Sequence, residues 1–168
     1  FHAGPGETMH FFDVTGTGSS EVVSQRGDDI YAMNGATVMF DIGKILKFGG
    51  SYTYSQGTPS SDNAYVIDIN DENNVTVTAT ANNAEEGRIF PTGVVLPNGE
   101  VLILGGMDTA VPFSDNGAHL IAEIFNPDDN TFRTVAAMAE PRTYHSGGLL
   151  LGDGRVFMGG GGLCGNCG

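Results

Sequence analysis

The sequence predicts an all-β protein built as a propeller of four-stranded blades. Three observations carry this. Glycine makes up 26 of the 168 residues, yet 40% of the chain is hydrophobic and the apolar residues gather into short runs. That combination describes many short strands joined by tight turns, not a disordered chain. A unit of strand, turn, strand and Gly-Gly recurs three times at nearly constant spacing. No stretch of useful length repeats its apolar residues with the 3.6-residue period of a helix.

The three units run from Gly35 to Gly50, from Gly93 to Gly106 and from Gly147 to Gly160. Asn98-Gly99 and Asp153-Gly154 sit between apolar runs in the second and third, and such dipeptides mark two-residue hairpin turns. Ile42-Gly43 is a looser version in the first. The Gly-Gly pairs end at 50, 106 and 160, so the units are 56 and then 54 residues apart, close to the kelch period of about 50. Each of the first two units continues through a polar loop into a further strand pair. Ala64–Ile69 leads to Val75–Thr78, and Ala122–Phe125 leads through Asn126–Asn130 to Thr131–Arg133. Four strands per unit make one blade, so the prediction is a kelch-type β-propeller with about three blades in view. A single blade cannot bury both faces, and a stack of three would leave two end faces open. The chain is therefore expected to be unstable alone and to need the remainder of its own propeller. The absence of an initiator Met and the ordered sequence at both ends point the same way, to a partial propeller domain over residues 1–168.

Charge limits the functions available. Seven basic against 20 acidic residues give a net charge of −13. A nucleic-acid backbone needs clustered Lys and Arg, and none are clustered here; anionic membranes are disfavoured for the same reason. No apolar run approaches the roughly 18 residues of a membrane-spanning helix. Asn74-Val75-Thr76 is a sequon for N-glycosylation in a secreted protein. Gly159–Gly162 lacks the following helix and lysine of a phosphate loop and reads as backbone passing close to the axis. Arg26-Gly27-Asp28 spells a cell-adhesion tripeptide, which reads as coincidence.

Five strings occur in order: Phe1-His-Ala-Gly-Pro5; Gly49-Gly-Ser51 followed by Tyr54; Pro112-Phe113; Arg142-Thr-Tyr-His-Ser146; and Gly159-Gly-Gly-Gly-Leu-Cys-Gly-Asn-Cys167. Together they resemble the central propeller domain of galactose oxidase and its relatives, the copper-radical oxidases, over essentially the whole chain. The resemblance implies a seven-bladed ring followed by a C-terminal β-sandwich, both extending beyond this segment. It implies one copper on the propeller axis, held by two tyrosines and two histidines, and a Tyr–Cys thioether that carries a radical. The activity implied is oxidation of primary alcohols, aldehydes or carbohydrates with O2 to give H2O2, outside the cell or at its surface.

Tyr144-His145 matches the family's adjacent ligands, with Tyr144 as axial ligand and base and His145 equatorial. Imidazole suits Cu(II), and a phenolate can act as a base once its pKa is depressed. Adjacent residues of a regular strand point to opposite faces, so both can reach one metal only if the backbone turns there. Pro141 before the pair and Gly147-Gly148 after it supply such a junction. The cross-linked cysteine and its tyrosine would lie upstream and the second histidine downstream, so no residue here replaces them. His2, His10 and His119 read as structural or surface residues. Tyr54, Gln56 and Phe113 resemble the lining of the substrate mouth, although Ser55 separates Tyr54 from Gln56 where the family has an adjacent pair, which bears on any galactose preference. Cys164 and Cys167 could form a metal clip, a redox pair or a disulfide. Zinc would want about four ligands, and a thioredoxin-type pair a helix N-terminus. The resemblance implies a disulfide that stiffens the loop, in an oxidising compartment. Two other classes compete with the enzyme. One is a non-catalytic structural or glycan-binding propeller of a cell wall or surface appendage; the other is a cytosolic kelch adaptor. Fold alone does not separate them.

Overall fold

The computed structural model describes residues 1–162. The described chain is all-β, with twelve strands: β1 (Thr8–Asp13), β2 (Ser19–Gln25), β3 (Ala36–Asp41), β4 (Lys44–Phe48), β5 (Ala64–Asp68), β6 (Thr76–Ala79), β7 (Thr92–Val95), β8 (Val101–Leu104), β9 (Ile121–Asn126), β10 (Thr131–Ala137), β11 (Gly147–Leu150) and β12 (Val156–Gly159). Two complete blades are present, the meanders β3-β4-β5-β6 and β7-β8-β9-β10, each antiparallel throughout. The third repeat contributes the hairpin β11–β12, whose turn is the Asp153-Gly154 dipeptide. The sequence pattern did not disclose β1–β2, a hairpin that packs on the opposite side of the first blade.

Each blade is a layer sandwiched between its neighbours, and side-chain alternation sorts the core accordingly. Along β4, Leu46 and Phe48 point to the second blade, where they meet Val101, Ile103, Phe125 and Phe132. Ile45 points the other way and joins Ile67 and Met9 beneath β1. Four of the five residues of β4 are buried, because both faces of this strand are covered. The same geometry puts Leu149 and Phe157, cross-strand partners on β11 and β12, on an open face where they are 61% and 57% exposed.

The innermost strands β3, β7 and β11 lie side by side, and small residues set how closely they approach. A Cβ added at Gly93 would lie 2.4 Å from Val38 Cγ2 and 3.1 Å from Phe48 Cζ. One repeat later, a Cβ at Gly148 would lie 2.9 Å from Val94 Cγ2. Gly93→Ala in the intact parent protein is therefore expected to cost about 1–3 kcal/mol through overpacking. Gly152→Ala, at a site with nothing within 4 Å, is the control. Denaturant unfolding of both variants checks this, and equal midpoints would refute it.

Candidate functional site

At the end of the blades that carries the Gly-Gly pairs, the chain enters each innermost strand through a residue with left-handed backbone. Asn34 (φ 60°), Phe90 (φ 59°) and His145 (φ 64°) each stand two positions before β3, β7 and β11. Non-glycine residues rarely adopt this conformation, and holding one there costs on the order of 1–3 kcal/mol. The approach to β11 is one residue longer than the approach to β7. Arg142 and Arg88 are equivalent, since their carbonyls accept the amides of Gly106 and Gly50. Yet three steps separate Arg142 from His145 and two separate Arg88 from Phe90. The extra residue is Tyr144.

The insertion makes a tight turn closed by the Ser146 amide donating to the Thr143 carbonyl at 3.1 Å. Here the backbone departs from strand geometry, as the sequence required if both side chains were to serve one site. The Tyr144 and His145 rings stack with centroids 3.6 Å apart and planes 27° from parallel. Phe90 packs on Tyr144 at 4.9 Å. Phe113, itself at φ 63°, stands edge-on to Tyr144 at 5.1 Å and to His145 at 6.2 Å. Five non-glycine residues among those described have left-handed backbone, and three of them surround Tyr144. Backbone strain gathered in this way is a mark of functional sites. Thr143, buried just before the turn, anchors it through its hydroxyl, whose single proton is shared between the carbonyls of Ser114 and Gly161 at 3.0 and 3.2 Å.

The donor set fits copper. A phenol oxygen and an imidazole nitrogen are ligand types that Cu(II) accepts, and stacking holds the two rings side by side, with Tyr144 half-buried and His145 exposed. They supply two donors, and no group of three or more His, Cys, Asp or Glu side chains suited to a metal occurs among the described residues.

Of the three residues expected at the substrate mouth, Phe113 lies against Tyr144 and His145. Tyr54 opens onto a separate cleft lined by Phe1–Pro5, Arg26, Asn34–Thr37 and Lys47. Gln56 is exposed on the turn that ends at Gly57. Asn74 is exposed on the β5–β6 turn, at the opposite end of the blade from the Tyr144 turn. Cys164 and Cys167 lie outside the described residues. The adhesion tripeptide is not displayed, because Arg26 is 1% exposed and its guanidinium donates to the carbonyls of Gly6, Pro5 and Asp29. His119 is structural, with Nδ1 paired to Glu86.

Sequence reasoning missed Phe90 and the ion pair that supports it. Arg88 and Glu123, both 1% exposed, are joined through Arg88 Nε and Nη2 to Glu123 Oε2 at 3.1 and 2.9 Å. Arg88 also donates to the carbonyls of Gly105 and Ile121. The alignment of Arg88-Ile-Phe with Arg142-Thr-Tyr-His could have pointed to Phe90.

No family model matches the chain. It is similar to the galactose oxidase of Gibberella zeae, with 41% identity over 174 aligned residues that take in 99% of this chain and 25% of that protein. An aldehyde oxidase of Arabidopsis thaliana is 35% identical over 78 residues, 44% of this chain and 13% of the relative. Among solved structures, a fungal alcohol oxidase of the AA5 family, in complex with copper, superposes with a TM-score of 0.91 at 37% identity, covering 98% of this chain and 34% of that one. The chain thus spans about a quarter of the length of the galactose oxidase it matches.

Proposed function

As the chain belongs to the galactose oxidase-like family, we propose that Tyr144 and His145 are two ligands of one copper ion in an oxidase. Its substrates would be primary alcohols, aldehydes or carbohydrates, oxidised with O2 to give H2O2. The observation that carries the reading is the strained Tyr144–His145 turn, where one inserted residue lets a phenol and an imidazole stand side by side. Copper, when bound, supplies an electron acceptor and a positive charge that favours the phenolate. The remaining ligands and the Tyr–Cys radical would come from other parts of the polypeptide. Tyr144 takes the proton of the substrate hydroxyl as a general base. Phe90 and Phe113 hold its ring from two directions, and Phe113, 54% exposed, offers an apolar wall to the substrate's CH groups. The same reading makes the protein secreted or surface-bound, where Asn74 could be glycosylated and Cys164 could pair with Cys167.

Peptide mass spectrometry of the intact parent protein, loaded with copper under O2, tests this. The expected result is stoichiometric copper and a Tyr–Cys thioether, seen as a cross-linked peptide pair lighter by two hydrogens. Absence of both would overturn the oxidase reading in favour of a structural or glycan-binding propeller.

A further inference from the structure

We propose that Asn116 is a site of spontaneous deamidation, and that its conversion to aspartate or isoaspartate loosens the loop that carries Phe113 to Tyr144. The sequence holds three Asn-Gly pairs, which begin at Asn34, Asn98 and Asn116. In such a pair the glycine nitrogen can attack the side-chain amide carbon of the asparagine, because glycine has no side chain to hinder the approach. A hydrogen bond held by that N–H opposes the attack, so the surroundings decide which pair reacts.

The place of the glycine in its turn separates the three. A β-turn is closed by the N–H of its fourth residue on the carbonyl of its first. Gly35 and Gly99 are fourth residues, and their N–H groups donate to the carbonyls of Ala32 at 3.2 Å and Leu96 at 2.9 Å. The Asn98 side chain is engaged as well, with Nδ2 donating to Glu100 Oε2 and Oδ1 accepting the Glu100 amide. Gly117 is a third residue. Its turn is closed by Ala118, whose N–H donates to the Asp115 carbonyl at 3.1 Å. Among the described residues the Gly117 N–H has no acceptor and the Asn116 side-chain amide has no partner. Both anchors of this turn lie in the two complete blades. The Gly117 carbonyl accepts the Asp108 amide at 2.9 Å, and the Asp108 carbonyl accepts the Ser60 amide at 2.8 Å. Nor can the turn exchange its glycine: Gly117 has φ 69°, and a Cβ there would collide with the Asp108 carboxylate.

In the reaction Gly117 N bonds to Asn116 Cγ and gives up its proton, while the side-chain amide leaves as ammonia. Water then opens the succinimide at either carbonyl. One product is aspartate. The other, isoaspartate, runs the main chain through Cβ and lengthens it by one carbon. Nothing is oxidised or reduced. Either product sets a new carboxylate beside Asp115 and near Asp108, whose carboxylate already faces Gly117, and like charges repel. The turn follows Phe113 and Ser114 directly. Phe113 stands edge-on to Tyr144 at 5.1 Å, and the Ser114 carbonyl lies 3.0 Å from the Thr143 hydroxyl, so a shift at Asn116 reaches both. The effect on turnover rests on the oxidase reading; the modification itself does not.

Incubation of the intact parent protein in mildly alkaline water enriched in heavy oxygen, then digestion in ordinary water and peptide mass spectrometry, tests the site. Heavy oxygen should enter the peptide containing Asn116 about five- to tenfold faster than those containing Asn34 or Asn98, the factor that one hydrogen bond on the attacking N–H is worth. Asn116→Gln should take up none at that position, because its amide would have to close a larger ring. It should also keep its peroxide-forming turnover of benzyl alcohol while the wild type loses turnover in step with uptake. No uptake at Asn116, or equal uptake at Asn98, would overturn the proposal. Uptake with undiminished turnover would overturn the link to the Phe113 loop. Uptake in a protein that oxidises no alcohol when fresh would overturn the oxidase reading and leave the modification standing.

Discussion

Tyr144→Phe in the intact protein is expected to lower alcohol oxidation by about 10²–10⁴-fold, the range contributed by a positioned general base. The substitution removes only the phenol oxygen. The ring keeps its stack on His145 and its contacts with Phe90 and Phe113, so unfolding should be unchanged. That separation makes the experiment decisive. A variant with normal stability, retained copper and a collapsed kcat places the lost function on the oxygen. A variant within threefold of wild type would remove Tyr144 from the proton-transfer step. Steady-state peroxide formation against primary alcohol concentration gives kcat and KM separately, and the fall should lie in kcat, because the proton is transferred in the transition state.

What could be read in the sequence follows from how local each signal is. The hairpins β7–β8 and β11–β12 announce themselves, because Asn98-Gly99 and Asp153-Gly154 demand tight turns within a few residues of their strands. The turn at Tyr144-His145 was legible as a condition, since two adjacent ligands require the strand to break, and the left-handed backbone of His145 is how the structure meets it. The hairpin β1–β2 escaped because the recurring unit was defined by the Gly-Gly pair at the end of its second strand, and β1–β2 has no such pair. The buried charges escaped for a different reason. Arg88 and Glu123 are 35 residues apart, and Asp29 and Lys47 are 18 apart. Pairing at those separations is decided by blade topology, and a charged residue in an otherwise apolar strand reads from sequence as solvated. Tyr54 and Gln56 fall in a loop of the first blade where Ser55 shifts the spacing, and only coordinates show which cleft such a loop faces.

Glu123→Ala is expected to destabilise the intact protein by about 3–5 kcal/mol, because it strands the buried Arg88 guanidinium. The Glu123 carboxylate receives both Arg88 Nε and Nη2 and also accepts the Glu85 amide at 2.7 Å. Without it, Arg88 keeps two backbone carbonyls, at Gly105 and Ile121, and only the more distant, partly exposed Glu86 carboxylate at 3.8 Å to offset its charge. Glu123→Gln should cost less, since an amide oxygen can still accept. The double variant Arg88→Met, Glu123→Leu should recover much of the loss, because a well-packed apolar pair can replace a buried ion pair at little cost. Denaturant unfolding of the two single variants and the double gives the coupling energy directly. A cost for Glu123→Ala below about 1 kcal/mol, the scale of an exposed pair, would show that water reaches Arg88. The effect should also reach the Tyr144 turn. Arg88 lies two residues before Phe90, and its carbonyl accepts the Gly50 amide at 2.8 Å, so loosening Arg88 loosens the ring on which Tyr144 packs. Glu123→Gln is therefore expected to lower kcat more than its stability loss accounts for at a temperature where it stays folded. The Arg88–Glu123 pair then positions Tyr144 through Phe90 without touching the substrate.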